Sequence, residues 1–156
     1  MTATGMTTYL WFDEQALEAA TFYVDLFPDS KLGSISYYQA DAQRPEGSVL
    51  TVEFEIFGQR FAALNGGPQF PHSEAVSFQI SCETQADVDR YWNALIADGG
   101  AESQCGWCKD KWGVSWQIIP DALGRALQGL DGYDSAYAFR AMMQMSRIIV
   151  ADLRPA

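Results

Sequence analysis

Thr7-Thr8-Tyr9-Leu10-Trp11-Phe12 is a short β-prone run, and the period of the chain changes directly after it. From Glu14 onward, Ala16, Ala19, Ala20, Tyr23, Leu26 and Phe27 recur at helical spacing. Asp13 stands where an N-cap is expected, and Pro28 ends the helix. Three β-prone segments follow: Lys31 to Tyr38, Val49 to Ile56, and Arg60 to Leu64. A polar loop at Asp41 to Gly47 separates the first two, and a hairpin turn at Phe57-Gly58-Gln59 separates the last two.

The same order is then written again. Val76 to Cys82, opening on Ser77-Phe78-Gln79-Ile80, reads as a strand. Thr84 is the expected N-cap of a helix whose stripe is Val88, Tyr91, Trp92, Leu95 and Ile96, ended by Gly99-Gly100. Glu102 to Trp107 and Val114 to Ile119 are expected strands joined through Lys109-Asp110-Lys111. The expectation is an α+β fold built from two βαβββ modules, residues 7–67 and 75–120, joined by Pro68 to Glu74. Residues 121–156 form a C-terminal helical extension, with helices at Ala122 to Leu130 and Ser135 to Met145 and one face of Ala136, Phe139, Met142 and Met143. Ile148 to Val150 is a short apolar run.

At 156 residues, nearly half of them apolar, the chain has the size and composition of a single packed domain, 1–156. A net charge of −10 repels phosphate backbones, so nucleic acid is not an expected partner. No apolar run reaches the roughly 20 residues that span a bilayer. The start, Met1 to Met6, lacks the basic and apolar regions of a signal peptide, and the three cysteines read as free thiols. A cytoplasmic protein is expected.

Several segments resemble the vicinal oxygen chelate superfamily, the glyoxalase/bleomycin-resistance fold. More closely, the chain is similar to its PhnB-like branch, which carries the name 3-demethylubiquinone-9 3-methyltransferase. The matching stretches are Tyr9 to Asp13 with Phe22-Tyr23, Phe61 to Phe70, Ser77 to Thr84, Asp89 to Trp92, and Cys105 to Pro120. The resemblance implies paired βαβββ modules enclosing a cleft, and a homodimer. In metal-using members the ligands lie on the first and last strands of each module. Counting from the helices and turn glycines places those positions near Thr7, Ala75, Ala62 and Gln117. A catalytic divalent cation needs about three firm side-chain ligands with carboxylate or imidazole donors. Only Gln117 is passable, with Asn65 a distant second, and the one histidine, His72, falls in the connector. No metal and no cofactor is therefore expected.

The methyltransferase name finds no support in these residues. Methyltransferases that use S-adenosylmethionine commonly carry a Gly-rich turn after the first strand of a doubly wound sheet. The segment here is Asp13-Glu14-Gln15-Ala16-Leu17.

The leading expectation is a metal-free small-molecule-binding protein whose ligand contacts are Tyr9, Trp11, Asn65, Gln79, Cys105, Trp107 and Gln117. Aromatic rings suit flat or apolar ligands, and amides suit neutral polar groups. The amides serve equally well to satisfy backbone groups at strand ends, and the aromatics to fill the core. The alternative is an enzyme of the glyoxalase or dioxygenase type on a vicinal-oxygen substrate, with a weakly held metal or with Cys105 as its catalytic group. Cys105-Gly106-Trp107-Cys108 has redox spacing, but no helix follows it to stabilise a thiolate. Structural or pocket-lining thiols are the preferred reading, with Lys109 and Lys111 placed to lower the Cys108 pKa. Glu53 and Glu55 alternate with apolar residues and read as a solvated strand face.

Overall fold

A computed structural model describes residues 2–40, 42 and 44–155. Asp41 and Gln43 of the expected loop, and the initiating Met1, lie outside the described residues. The chain divides into two compact units, one ending at Pro71 and the other starting at His72.

The first unit contains β1 (Thr8–Phe12), α1 (Ala16–Leu26), β2 (Lys31–Tyr37), β3 (Val49–Ile56) and β4 (Gln59–Asn65). They form one sheet in the order β1-β4-β3-β2, with β1 parallel to β4 and the other pairs antiparallel. Strict alternation decides which face is covered. Leu10, Phe12, Val52, Phe54 and Ile56 are buried, as are Ala16, Ala19, Ala20 and Tyr23 of α1. Tyr23 stacks on Phe54 at 6.1 Å, and Phe54 on Phe61 at 5.2 Å. Each large apolar side chain buried this way contributes about 1.5–3 kcal/mol. The β3–β4 turn holds Phe57 and Gly58 at φ 49° and 75°, the positive pair that a two-residue hairpin needs to match strand twist.

Asp13 does not cap α1. The position before Ala16 is Gln15, whose side chain makes no capping bond. The Ala16 N–H is instead taken by Asn65 Oδ1 at 2.8 Å, from the far end of β4.

The second unit repeats the topology. It contains β5 (Ser77–Cys82), α2 (Gln85–Ile96), β6 (Ala101–Glu102), β7 (Trp107–Lys109) and β8 (Ser115–Pro120), in the order β5-β8-β7-β6. Again β5 runs parallel to β8. Val88, Tyr91, Trp92 and Leu95 of α2 are buried, as are Ile80, Cys82, Cys108, Trp116 and Ile118 of the sheet. Thr84 caps α2 as expected, accepting the Asp87 N–H at 3.2 Å. The α+β pair of βαβββ modules is thus present.

One expected strand is not. Glu102 to Trp107 divides into β6, a turn, and the start of β7, because Cys105 and Gly106 adopt φ 57° and 86°, which no strand accommodates.

The extension contains α3 (Asp121–Leu127), α4 (Ser135–Met142) and a 3₁₀ turn at Val150–Leu153. Leu123, Ala126, Ala138, Ile148 and Leu153 form its core, with Ile119, Met142 and Met145 packed around them. The expected apolar face of α4 holds at Met142 and is corrected elsewhere. Ala138 is the buried residue, while Phe139 and Met143 are 53% and 46% exposed. The small Ala138 side chain lets α4 approach closely, which the bulkier stripe would prevent. The extension is tied to its own unit by backbone bonds from Cys105 and Gly106 N–H to Met145 and Ser146 carbonyls, at 2.8 and 2.7 Å. The Gln85 amide adds bonds to the Ile148 carbonyl and the Val150 N–H.

Candidate functional site

Each sheet has one face under a helix, and the strand registers fix what the other face carries. In the first unit Tyr9 lies beside Ala62, which lies beside Glu53; Trp11 lies beside Leu64, which lies beside Thr51. Residues paired in a ladder point to the same side. Tyr9 is 63% exposed and offers an open ring. Trp11 is half-buried and clamped. Its Nε1–H donates to the Gly67 carbonyl at 2.7 Å, and its ring meets Phe70 edge-on at 4.9 Å. A Cβ at Gly66 would lie 2.2 Å from Trp11 Cζ2, so this approach requires glycine.

Asn65 is buried and its amide is engaged at both ends. Oδ1 accepts from Ala16, and Nδ2 donates to the Val49 carbonyl at 3.1 Å. Its geometry is that of a strand-end residue satisfying backbone groups.

The same face holds a cavity of about 130 Å³ lined by Thr7, Lys31, Gly33, Glu53, Glu55 and Arg60, among others. Glu55 pairs with Lys31 at 3.1 Å, and Glu53 accepts from the Ser34 hydroxyl at 2.5 Å. The alternation had marked these carboxylates as solvated. What it did not show is that they share a sheet face with Tyr9 and Trp11, a matter of register parity across three strands.

In the second unit Gln79, Gln117 and Trp107 occupy successive positions across β5, β8 and β7. Gln79 is exposed, while Gln117 and Trp107 are half-buried. Gln117 Nε2–H donates to Ser77 Oγ at 2.9 Å. Three of the expected contact residues thus lie in one row. Cys105 is not among them. It sits in the turn before β7, with Sγ 3.8 Å from Met143 Sδ of the extension.

The adjacent row is Ala101, Lys109, Ser115 and Ser77. Lys109 Nζ lies 2.5 Å from Glu74 Oε1, and this hydrogen bond holds the Glu74 carboxyl below the usual carboxylate range. Ser115 was missed by sequence reasoning. A serine between Val114 and Trp116 carries no signal of its own, and only the register places it beside Lys109.

Cys108 points the other way, into the core. Burial pushes its thiol up to about 12, and the carboxylates of Asp110 and Glu102 push in the same direction. The expected lowering by Lys109 and Lys111 is overturned. Lys109 is turned to Glu74, and Lys111 lies over the Trp112 ring at 4.7 Å. All three cysteines are free thiols.

The registers set which side chains stand beside the positions counted for a metal. Thr7 precedes β1 and Ala75 precedes β5. Ala62 is paired with Tyr9, and Gln117 with Gln79. These positions supply a phenol, a methyl group and two neutral amides, a poor donor set for a divalent cation. Among the described residues, no group of three or more His, Cys, Asp or Glu is arranged to hold one.

The family described as 3-demethylubiquinone-9 3-methyltransferase matches residues 4–119. The chain belongs to that family. The family's PhnB protein from Bacillus cereus is 32% identical over 75% of this chain and 99% of its own, with a TM-score of 0.68. Two more distant likenesses show the fold alone. Protein PA1353 from Pseudomonas aeruginosa is 19% identical over 76% of this chain and 100% of its own, with a TM-score of 0.58. The fosfomycin resistance protein FosX from Listeria monocytogenes is 12% identical over 77% of this chain and 94% of its own, with a TM-score of 0.51. No curated protein matches the chain. Among the described residues, no helix is long and apolar enough to cross a membrane.

Proposed function

We propose that this family member is a small-molecule-binding protein that works without a metal. The observation that carries the reading is the row Gln79, Gln117 and Trp107 on the face of the second sheet opposite α2. It combines two amides, which bond neutral polar groups, with an indole, which covers flat apolar surface. Tyr9 and the edge of Trp11 give the first unit a comparable aromatic surface. Apolar burial at roughly 25 cal/mol per Å² supplies the affinity, and the amides supply orientation. The full chain acts as one domain, as a homodimer, in the cytoplasm.

The methyltransferase name is not adopted as an activity. The β1–α1 connection is Asp13-Glu14-Gln15, without glycine, and β1 belongs to a four-stranded mixed sheet rather than a doubly wound one. No methyl-transfer step is derived. Catalysis on a vicinal-oxygen substrate is the competing reading. Its thiol version rests on Cys105 alone, because Cys108 holds its proton far above neutral pH.

The test is a thermal-shift screen of metabolites on protein purified without added metal, with metal content measured on the same sample. The expected result is a ligand that raises the Tm of the wild type but not of Gln117→Leu or Trp11→Ala. Whichever variant loses the shift assigns the ligand to its own unit. Stoichiometric zinc, nickel, manganese or iron in the purified protein would instead favour the enzyme.

A further inference from the structure

The face of the second sheet opposite α2 holds a cavity of about 150 Å³, lined among others by Glu74, Ala101, Ser103, Trp107, Lys109 and Ser115. Ser115 is 1% exposed, and its Oγ has no hydrogen-bond partner among the described residues. A buried hydroxyl left unmade costs about 1–3 kcal/mol, and native structures keep few of them. Its ladder neighbours do not relieve it. Lys109 is paired with Glu74, and Ser77 takes the bond from Gln117.

We propose that this cavity is a binding subsite for one neutral six-membered ring bearing a hydroxyl or carbonyl oxygen. The ring lies against Trp107, and its oxygen bonds Ser115 Oγ. Three observations set the class. A cavity of about 150 Å³ has room for one six-membered ring. Trp107 gives that ring a flat, half-buried indole wall. The charges at the wall disfavour an anion: Lys109 is paired with Glu74, and the Glu102 carboxylate, also at the wall, accepts the Trp92 indole N–H at 3.1 Å and adds a negative charge. A hydroxyl both donates and accepts, so Ser115 serves a phenol or an aromatic ketone equally. The subsite deepens the binding reading above and rests on it.

Phenol and benzene are the probes, with binding followed by saturation-transfer NMR and titration calorimetry on the full chain. Wild type is expected to bind both, phenol more tightly. Ser115→Ala should weaken phenol by roughly tenfold, the size of one hydrogen bond of about 1.4 kcal/mol, and leave benzene unchanged. Retained benzene binding shows that this variant is folded. Trp107→Ala should lose both probes, with its far-ultraviolet circular dichroism unchanged. Equal phenol affinity in wild type and Ser115→Ala overturns the proposal. So does phenol binding that survives Trp107→Ala, or a wild type that binds neither ring. A metabolite hit sensitive to Gln117→Leu, combined with no phenol binding, would sink this subsite and leave the wider binding function standing.

Discussion

Asn65 on the last strand of the first unit caps the helix that follows its first strand, with Oδ1 2.8 Å from the Ala16 N–H. The other end of the same amide donates to the Val49 carbonyl. One buried side chain therefore ties α1, β4 and the start of β3 together. Asn65→Ala leaves a helix-end donor and a strand carbonyl without partners. The expected loss is about 1–3 kcal/mol, read as a lower urea midpoint at unchanged m-value. Asn65→Asp keeps the cap and loses the bond to Val49, so it should fall between wild type and alanine. An alanine variant as stable as wild type would show that the amide is not the clamp.

Asp110 does similar work in the turn between β7 and β8. It is 3% exposed; Oδ1 accepts the N–H groups of Trp112 and Val114 at 3.0 Å each, and Oδ2 accepts the Trp116 indole N–H at 2.9 Å. Asp110→Ala strands three donors, two of them buried, and is expected to cost about 3–5 kcal/mol. Asp110→Asn keeps one acceptor oxygen and should cost less. The order wild type, Asn, Ala in denaturant midpoint checks the assignment.

These two residues mark where the sequence was legible. The strand-helix openings could be read because alternation and helical period are local, and the repeat of the order gave the fold. Thr84 was found because its partner, Asp87, lies three residues away. Asp13 was the wrong cap because the true one arrives from Asn65, 49 positions along the chain. The turn at Cys105 left no trace because a positive φ at a non-glycine residue is imposed by its bonds to the extension. Ser115 and the Glu53–Glu55 face depend on register, which is set by pairings between strands and by the β2–β3 irregularity at Leu32 to Ile35.

Thiol reactivity follows from the same placement. Cys82 and Cys108 are buried, while Cys105 is half-buried in a turn. Brief alkylation of the native protein near neutral pH should label Cys105 alone, as read by peptide mass spectrometry. Urea should release the other two. Labelling of Cys108 at the rate of a small free thiol would contradict its burial.

Gly66 is the position on which the Trp11 geometry depends. A methyl group there would overlap the indole at 2.2 Å, and the ring is held by its bond to Gly67. Gly66→Ala must displace the ring, breaking that bond and the contact with Phe70. The expected cost is about 1–3 kcal/mol, together with a shift in tryptophan emission as the indole moves. Gly66→Ala in a Trp11→Leu background should cost much less, because the clash partner is gone. Equal costs in both backgrounds would place the strain elsewhere.

The two core thiols contribute to the alkaline limb of stability. Burial raises Cys82 and Cys108 to about 12, against about 8.5 for a thiol in an unfolded chain. A raised pKa means that the folded state keeps a proton the unfolded state releases. The stabilisation is fully present below about pH 8.5 and is lost as pH rises through the folded value. Between those limits each thiol tilts stability downward by up to about 1.4 kcal/mol per pH unit. Urea midpoints measured from pH 8 to pH 11 should fall in the wild type. Cys108→Ala should begin lower, because a packed side chain is removed, and then fall less steeply. Parallel slopes for the two proteins would show that Cys108 does not hold its proton in the core.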